Sequence, residues 1–379
     1  MELKLDASKE YAIALEGGGA KGAYEIGVWK ALQEAGIRFN AVSGSSVGAL
    51  NGAMFAMGDL DKAVEFWQNI RFSQVMNVDD TTMKRVFNKD FKDLDIRSLF
   101  KGAVDTVKQG GFDVEPLRAL LREAINEDEV LASPVNFYLV TYSVTDRKEL
   151  DIDVKSLEKG ELYDMLLASA YFPAFKHEKL GGKMYTDGGV QDVVPVHSLT
   201  SRGYKDLIVI RIFGVGVEKR FKMPEDVNVT TIAPNQDLGN VLNFSGEQSR
   251  YNMRLGYYDG KRVLYGLYGS TYYIDRTMTE ETAYGFLKEM ALFNSPGLSL
   301  RDVHEKALPE LVKAAEAEGD YYDVFVKVLE KAAQELMLDQ FAVYTDADLY
   351  HAVRSRLVSL PTTKKSKLLR YIPAEASPF

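Results

Sequence analysis

Residues 1–58 alternate short apolar runs with amphipathic stretches. Residues 11–15 (YAIAL) form an apolar run, whereas residues 23–35 repeat apolar side chains at spacings of three and four. The first pattern is typical of a buried strand, and the second of a helix with one apolar face. Residues 39–43 and 49–57 repeat this pair. Since strands that alternate with helices form parallel sheets covered by helices, we predict an α/β sandwich around a mainly parallel central sheet.

Apolar patterning continues along the rest of the chain, with a change after about residue 275. Further elements are predicted as helices over 59–130 and 163–170 and as strands over 136–143, 182–185 and 206–213. Beyond residue 275, alanine, glutamate, lysine and leucine dominate at helical spacing. We therefore predict a first domain at residues 1–275, with its motifs in 10–203, and a C-terminal helical region at 276–379.

Composition narrows the class of protein. The chain has 379 residues, of which 46% are hydrophobic and 27% charged, as in ordinary globular proteins. A formal net charge of -9 argues against nucleic acid as a partner, because phosphates attract a basic surface. The absence of cysteine excludes disulfides, thiolate metal sites and a cysteine nucleophile.

Cellular location is predicted from two missing patterns. The N-terminal residues lack the basic and apolar regions of a secretory signal, and no apolar run approaches the roughly 20 residues of a membrane helix. We therefore expect a cytoplasmic protein whose contact with a membrane is at most peripheral. No pattern points to a cofactor or a metal, and the sequence leaves the oligomeric state open.

A glycine-rich loop follows the first predicted strand, in LEGGGAKGAYEIGVWKAL at residues 15–32. Gly17, Gly19 and Gly22 match the dinucleotide-binding spacing G-x-G-x-x-G. That site requires a carboxylate at the end of the next strand, but this strand ends in serine and glycine. A phosphate-binding P-loop also fails, because Lys21 is followed by glycine and not by serine or threonine. The loop amides are therefore expected to hold a different negative charge.

The second predicted strand ends in GSSVG, residues 44–48, which matches G-x-S-x-G. In this pattern a sharp strand-to-helix turn exposes a serine hydroxyl at the carboxyl edge of the sheet. Only Ser46 has glycine at both flanking positions, Gly44 and Gly48. A plain turn is the alternative, but the position between an apolar strand and GALNGAM favours a nucleophile.

A serine nucleophile needs a base, and the sequence offers two arrangements. Of the histidines His177, His197, His304 and His351, only His197 suits a Ser–Asp–His order, since it follows Asp187. The alternative base is Asp187 itself, within TDGGV, where a tight turn would hold the carboxylate close to the serine. A simple hairpin turn is the competing interpretation of this segment.

Together, the motifs at residues 17–22, 44–48 and 187–189 resemble those of patatin-like phospholipases in order and context. Further stretches similar to bacterial members are AVSGSSVGALNGA, ASAYFPAFKHEKLGGKMYTDGGVQDVVPV and NMRLGYYDGKR. The resemblance covers roughly residues 10–265 and departs at Glu16, where many members carry aspartate. It implies a three-layer patatin-like fold and a Ser–Asp dyad without a catalytic histidine.

The resemblance also implies a role for each motif residue. Ser46 would be the nucleophile and Asp187 the base. An oxyanion hole would come from Gly17, Gly18, Gly19 and Ala20, and the supporting motif residues would be Lys21, Gly22, Gly44, Gly48, Gly188 and Gly189. The implied activity is that of a serine acyl hydrolase that cleaves fatty-acyl esters of phospholipids or related lipids through an acyl-enzyme. Alternatives are an acyltransferase or thioesterase with the same dyad, or a non-catalytic lipid-binding or regulatory module.

Three features each have more than one interpretation. Residues 75–107 are amphipathic and form either a cap over the site or helices packed on the sheet. Lys21 either covers the glycine loop or steadies the start of the helix, with contact to a lipid phosphate as the alternative. The basic segment KKSKLLR, residues 364–370, is expected to be a solvated tail, with anionic lipid as the alternative contact.

Overall fold

The computed structural model describes residues 1–87, 111–172, 175–176, 178–359, 361 and 366–374. The chain divides into two compact units, Leu5–Gly260 and the combination of Met1–Lys4 with Lys261–Phe379. The boundary predicted at residue 275 lies inside the second unit. The reason is a strand at Tyr273–Asp275, which pairs with a strand of the same unit close to the C-terminus.

A mainly parallel sheet is the centre of the unit Leu5–Gly260. Its strands are β1 Glu10–Leu15, β2 Arg38–Ser45, β3 Asn136–Ser143, β4 Lys148–Asp153, β5 Tyr185–Thr186, β6 Asp206–Ile210 and β7 Asn228–Ile232. Within the described residues this seven-stranded sheet has the order β4-β3-β2-β1-β6-β7, with β5 beside β3. Only β4 and β5 are antiparallel to their neighbour β3. The predicted α/β fold with a mainly parallel sheet is confirmed.

Helices flank this sheet and connect its strands. Their bounds are α1 Ala23–Glu34, α2 Val47–Met57, α3 Leu60–Asn69, α4 Phe72–Val75, α5 Asp80–Phe87, α6 Glu115–Ala124, α7 Glu127–Ala132, α8 Leu162–Ser169, α9 Val196–Thr200 and α10 Gly246–Tyr265. Single 3-10 turns lie at Gly19–Gly22, Val154–Ser156 and Gly188–Val190. Because helices cover both faces, the central strands are apolar at successive positions, and Ile13, Ala14 and Leu15 are fully buried.

Close contact between α1 and α10 fixes the helix that follows the glycine loop. A Cβ atom on Gly27 would lie 1.9 Å from the carbonyl oxygen of Met253, and one on Gly256 would lie 2.0 Å from that of Tyr24. Glycine at both positions therefore lets the two backbones touch. The packing holds the start of α1, and with it the end of the glycine loop.

The second unit combines helices with a small sheet. Its elements are β8 Tyr273–Asp275, α11 Glu280–Asn294, α12 Leu300–Asp302, a π-helical turn Val303–Ala307, α13 Leu308–Ala315, α14 Tyr321–Glu335, β9 Val343–Thr345, α15 Asp346–Val358 and a 3-10 turn Leu369–Tyr371. Strand β9, which pairs in parallel with β8, lies in the region 276–379 that was predicted as helical.

The C-terminal segment differs from the expected solvated tail. Leu368, Leu369 and Tyr371 are buried in the core of the second unit. Lys364 and Lys365 lie outside the described residues. Over the stretches that the structure describes, no helix has the length and apolar character needed to cross a membrane.

Candidate active site

Ser46 lies at a sharp turn between β2 and α2. Its backbone has φ 54° and ψ -123°, a conformation that a non-glycine residue adopts rarely and at a cost in energy. A Cβ atom on Gly44 would lie 2.1 Å from the carbonyl oxygen of Gly48, and one on Gly48 would lie 2.4 Å from that of Leu15. Both flanking glycines are therefore required by close backbone packing, as in a nucleophile elbow.

Asp187 is hydrogen-bonded to this serine. The Ser46 hydroxyl donates to Oδ2 of Asp187 at 2.6 Å, and the Gly189 N–H donates to Oδ1 at 2.8 Å. Burial raises the pKa of the Asp187 carboxyl, while the hydrogen bonds from Ser46 and Gly189 act in the opposite direction. The pair therefore joins a hydroxyl to a carboxylate with increased basicity.

The sheet explains why two residues so far apart in sequence meet. Asp187 directly follows β5, which pairs with β3, the neighbour of β2. The segment after Asp187 is a 3-10 turn and not a hairpin turn. A Cβ atom on Gly188 would lie 2.2 Å from the carbonyl oxygen of Val140 in β3, so this glycine lets the turn lie against the sheet.

The histidines occupy other places. His197 lies in α9, where its ring packs edge-on against Phe221 with 5.2 Å between ring centres. In the second unit, His304 is hydrogen-bonded to the hydroxyl of Tyr284. His177 lies outside the described residues. In the described part of the chain, the hydrogen bonds to the Asp187 carboxylate come from Ser46 and Gly189 and from no histidine.

The glycine loop presents two unpaired backbone N–H groups. Gly17 donates its N–H to the carbonyl of Val193 at 2.9 Å, and Ala20 donates to that of Val241 at 2.8 Å. Among the described residues, the N–H groups of Gly18 and Gly19 have no such acceptor. Of the four residues that the sequence suggested for an oxyanion hole, Gly17 and Ala20 therefore have their amides engaged elsewhere.

The loop lies beside the serine and needs glycine there. A Cβ atom on Gly17 would be 3.2 Å from the Cβ of Ser46, which places the loop in contact with the turn. Gly19 has φ +57°, and a Cβ atom there would lie 2.3 Å from the carbonyl oxygen of Val241. Side chains at these positions would therefore distort the loop.

Ser169 holds the backbone of Ser46 and was missed in the sequence. Its hydroxyl accepts the N–H of Ser46 at 2.9 Å and donates to the carbonyl of Val140 at 2.7 Å. Ser169 is the last residue of α8 and is fully buried. A small polar residue that ends an apolar helix was its only signal in the sequence.

Glu16 binds the chain segment that follows β6. Its buried carboxylate accepts the backbone N–H groups of residues 212–214 at 2.7–3.1 Å and the Nε–H of Arg211 at 2.8 Å. Lys21, the next charged residue along the loop, donates its ammonium to the carbonyl of Phe213 at 2.8 Å. Both residues therefore tie the glycine loop to residues 211–214.

A buried polar network supports the other end of the loop. The Asn51 side-chain amide donates to the carbonyl of Gly22 at 2.9 Å and to the carboxyl of Glu25 at 2.7 Å. The side-chain oxygen of Asn51 accepts the indole N–H of Trp67 at 2.9 Å. Burial raises the pKa of Glu25 well above that of an ordinary glutamate. No motif or periodic pattern in the sequence indicates this network, whose members come from three helices.

An apolar cavity of about 550 Å³ opens onto Ser46 and Asp187. Its wall includes residues 17–19, Ser46 and Asp187. Its apolar lining includes Val47, Leu50, Phe66, Trp67, Ile70, Val75, Met76, Phe112, Leu117, Leu120, Leu121, Phe172 and Phe175. This size is ordinary for a small-molecule site, and the lining fits an acyl chain better than a polar ligand.

One further sequence expectation bears on this cavity. Val75 and Met76 line it and begin the stretch predicted as a cap or as packed helices, but residues 88–107 of that stretch lie outside the described residues.

Across the described ranges, no group of three or more histidine, aspartate or glutamate side chains is arranged to hold a metal ion.

The fold and the site together define an α/β protein with a nucleophile-elbow serine that is hydrogen-bonded to an aspartate beside a glycine loop. Residues 13–200 match the family model of patatin-like phospholipases. This stretch of the chain is therefore a domain of the patatin-like phospholipase family.

The matches to relatives cover only part of this chain and of each relative. Lysophospholipase nte1 of Aspergillus terreus is 48% identical over 48 residues, which are 13% of this chain and 3% of the relative. An uncharacterized NTE family protein of Mycobacterium tuberculosis is 23% identical over 198 residues, 52% of this chain and 47% of the relative. Patatin-like phospholipase domain-containing protein 7 of Mus musculus is 26% identical over 205 residues, 53% and 13% of the two chains. The chain thus spans less than half of the length of each.

Among solved structures, VipD from Legionella pneumophila is similar, with 13% sequence identity and a TM-score of 0.42. The similarity covers 96% of this chain and 83% of that chain.

Proposed function

We propose that the chain is a lipid acyl hydrolase that cleaves fatty-acyl esters of phospholipids or related lipids. The observation that carries this proposal is the 2.6 Å hydrogen bond from the Ser46 hydroxyl to Asp187 at the wall of an apolar cavity. Relatives named as lysophospholipase and as patatin-like phospholipase support the same substrate class.

In the first half of the reaction, Ser46 forms a covalent ester with the acyl group. Its oxygen attacks the carbonyl carbon while the hydroxyl proton passes to Oδ2 of Asp187. The oxygen of the tetrahedral intermediate accepts hydrogen bonds from the free N–H groups of Gly18 and Gly19. Each such donor is worth about 3 kcal/mol in the barrier. The intermediate collapses, and the leaving alcohol takes the proton from Asp187.

In the second half, water replaces the alcohol. Asp187 accepts a proton from water, which attacks the acyl-enzyme, and the same two amides hold the new oxyanion. Collapse releases the fatty acid and returns the proton to Ser46. The apolar wall excludes water from the acyl chain, so that one wall both binds the chain and strengthens the hydrogen bonds around the reacting carbonyl.

Labelling with a fluorophosphonate tests the nucleophile. We expect one adduct on the wild-type protein, mapped by peptide mass spectrometry to Ser46, because the reagent needs an activated serine beside an oxyanion hole. Ser45→Ala is the matched control, since Ser45 is the adjacent serine and its hydroxyl is buried without a hydrogen bond. Labelling must persist in Ser45→Ala and be lost in Ser46→Ala. An adduct on any other residue would sink the proposal.

The pH dependence of turnover tests the base. Only ionised Asp187 can take the serine proton, so kcat/KM for a soluble short-chain ester should fall as pH falls through the pKa of this group. Because burial raises that pKa, the midpoint should lie above the value of about 4 for an ordinary aspartate. Measurement of kcat/KM across the acid range, with Ser46→Ala as the blank, checks this expectation.

A second buried carboxyl provides the control for this profile. Burial raises the pKa of Asp192 to about 7, and among the described residues the Ser46 hydroxyl is hydrogen-bonded to Asp187 and not to Asp192. The fall of kcat/KM at acid pH must therefore persist in Asp192→Asn. Two results would contradict the role of Asp187. One is the loss of this fall in kcat/KM in Asp192→Asn, and the other is a wild-type pH profile with its midpoint at the pKa of an ordinary aspartate.

A further inference from the structure

Apolar side chains are exposed around the mouth of the cavity. We define the rim as Phe172, Val190, Phe213, Val215 and Val217, which are 40%, 37%, 54%, 83% and 54% exposed. Four of them also line the cavity, and Phe213 comes two residues before Val215. Contiguous exposed apolar side chains beside a site are typical of an interaction surface.

The backbone of the rim is held firmly. Val217 donates its N–H to the carbonyl of Gly189 and accepts that of Val193, both at 2.8 Å. Glu16 binds the N–H groups of residues 212–214. Phe213 has φ +48°, which is strained for an aromatic residue and persists only where its surroundings impose it. The apolar side chains are therefore held out into solvent by a fixed backbone.

Positive charge flanks the rim along the chain. Lys176 and Arg220 are exposed, and in the described part of the chain neither forms an ion pair. The acidic residues next to them, Glu178 and Glu218, are each bound to an arginine. The two cations are therefore available to an anionic partner, in contrast to the net negative charge of the whole chain.

We propose that the rim docks on the surface of an anionic lipid bilayer. The apolar side chains would enter the boundary between headgroups and acyl chains, and Lys176 and Arg220 would contact headgroup phosphates. This inference rests on the proposed function, because a lipid hydrolase takes its substrate from an aggregate. Since the rim is continuous with the cavity, an acyl chain can pass from the bilayer to Ser46 without crossing water.

Vesicle binding tests the rim directly, in the Ser46→Ala background so that no lipid is hydrolysed. The vesicles contain phosphatidylcholine with or without phosphatidylglycerol, and binding is measured by sedimentation. Val215→Ser with Val217→Ser should lower the partition coefficient at least about tenfold, because each valine loses burial in lipid. The control pair is Val144→Ser with Val229→Ser, which are both 41% exposed and do not line the cavity. The control pair should bind like the parent.

The two cations are tested with the same vesicles. Lys176→Gln and Arg220→Gln should each weaken binding about fivefold on vesicles with phosphatidylglycerol and leave binding to pure phosphatidylcholine unchanged. Added salt should weaken vesicle binding by the parent protein and leave binding by the variant with both substitutions unchanged. Parental binding by both the rim and the charge variants would overturn the docking proposal.

Activity measurements separate docking from chemistry. Phe213→Asn removes an aromatic side chain that does not line the cavity and places there a residue that tolerates positive φ. Its matched control is Phe293→Asn in the second unit, since these phenylalanines are 54% and 53% exposed. Only Phe213→Asn should lose about fivefold or more of the hydrolysis of vesicle lipid. Both variants should hydrolyse a soluble short-chain ester like the wild type.

The outcomes distinguish the two proposals. If Phe213→Asn and the binding variants behave like the wild type on vesicles while the soluble ester is hydrolysed, docking through the rim is wrong and the proposed function stands. If vesicle binding depends on the rim but the wild type hydrolyses no ester, the docking proposal stands and the proposed function is wrong.

Discussion

Ser46→Ala is expected to lower kcat/KM for a soluble ester by about 10⁴-fold or more, and Asp187→Asn is expected to come close to that loss. Alanine removes the attacking oxygen. Asparagine keeps an oxygen to accept the Gly189 N–H, but it turns an amide N–H₂ towards Ser46 where a proton acceptor is needed. Two residues that act as one unit are not additive, so the double variant should be no worse than Ser46→Ala.

His197→Ala is the control for this pair. The His197 ring packs against Phe221 and, among the described residues, makes no hydrogen bond to the Asp187 carboxylate, so this variant should keep most of the activity. Thermal melting of each variant shows whether the fold is retained. If His197→Ala were as inactive as Ser46→Ala in a folded protein, the base would be a histidine and the dyad would be replaced by a triad.

The central fold was predictable because its signals are local. β1, β2 and β3 are apolar runs of the kind that a sheet covered on both faces requires, and their bounds match the predicted strands to within two residues. β4 (KELDID) and β7 (NVTTI) were missed because these edge strands are mostly polar and exposed. Strand β5 is shorter than predicted, since only Tyr185–Thr186 pairs with β3.

In the candidate site too, residues in local motifs were predictable from the sequence, whereas residues that act through distant contacts were not. Ser46 and Asp187 lie in short motifs that a turn requires, and their pairing in space remains consistent with the role that the sequence predicted for them. Ser169 and Asn51 act through hydrogen bonds to distant elements, and such contacts leave no periodic pattern in a sequence. The sequence also gave no means of telling which loop amides are free, because the acceptors of Gly17 and Ala20 lie far along the chain.

Glu16 is the residue whose importance the sequence understated, and Glu16→Ala is expected to lower the free energy of unfolding by about 3–5 kcal/mol. The substitution leaves the N–H groups of residues 212–214 without an acceptor and Arg211 without its buried partner. Urea denaturation followed by tryptophan fluorescence measures this loss within the first unit, because both tryptophans, Trp29 and Trp67, are buried there.

A matched substitution on the same arginine isolates the buried carboxylate. Glu218 also binds Arg211, but its side chain is 61% exposed, so Glu218→Ala should cost less than about 1 kcal/mol. Glu16→Asp keeps the charge with a shorter reach and should fall between the two. Equal losses for Glu16→Ala and Glu218→Ala would mean that the backbone hydrogen bonds of Glu16 contribute nothing. If the three variants lose stability in the expected order, their ester hydrolysis should fall in the same order as their free energy of unfolding. The reason is that Glu16 joins the glycine loop to the segment that carries the rim.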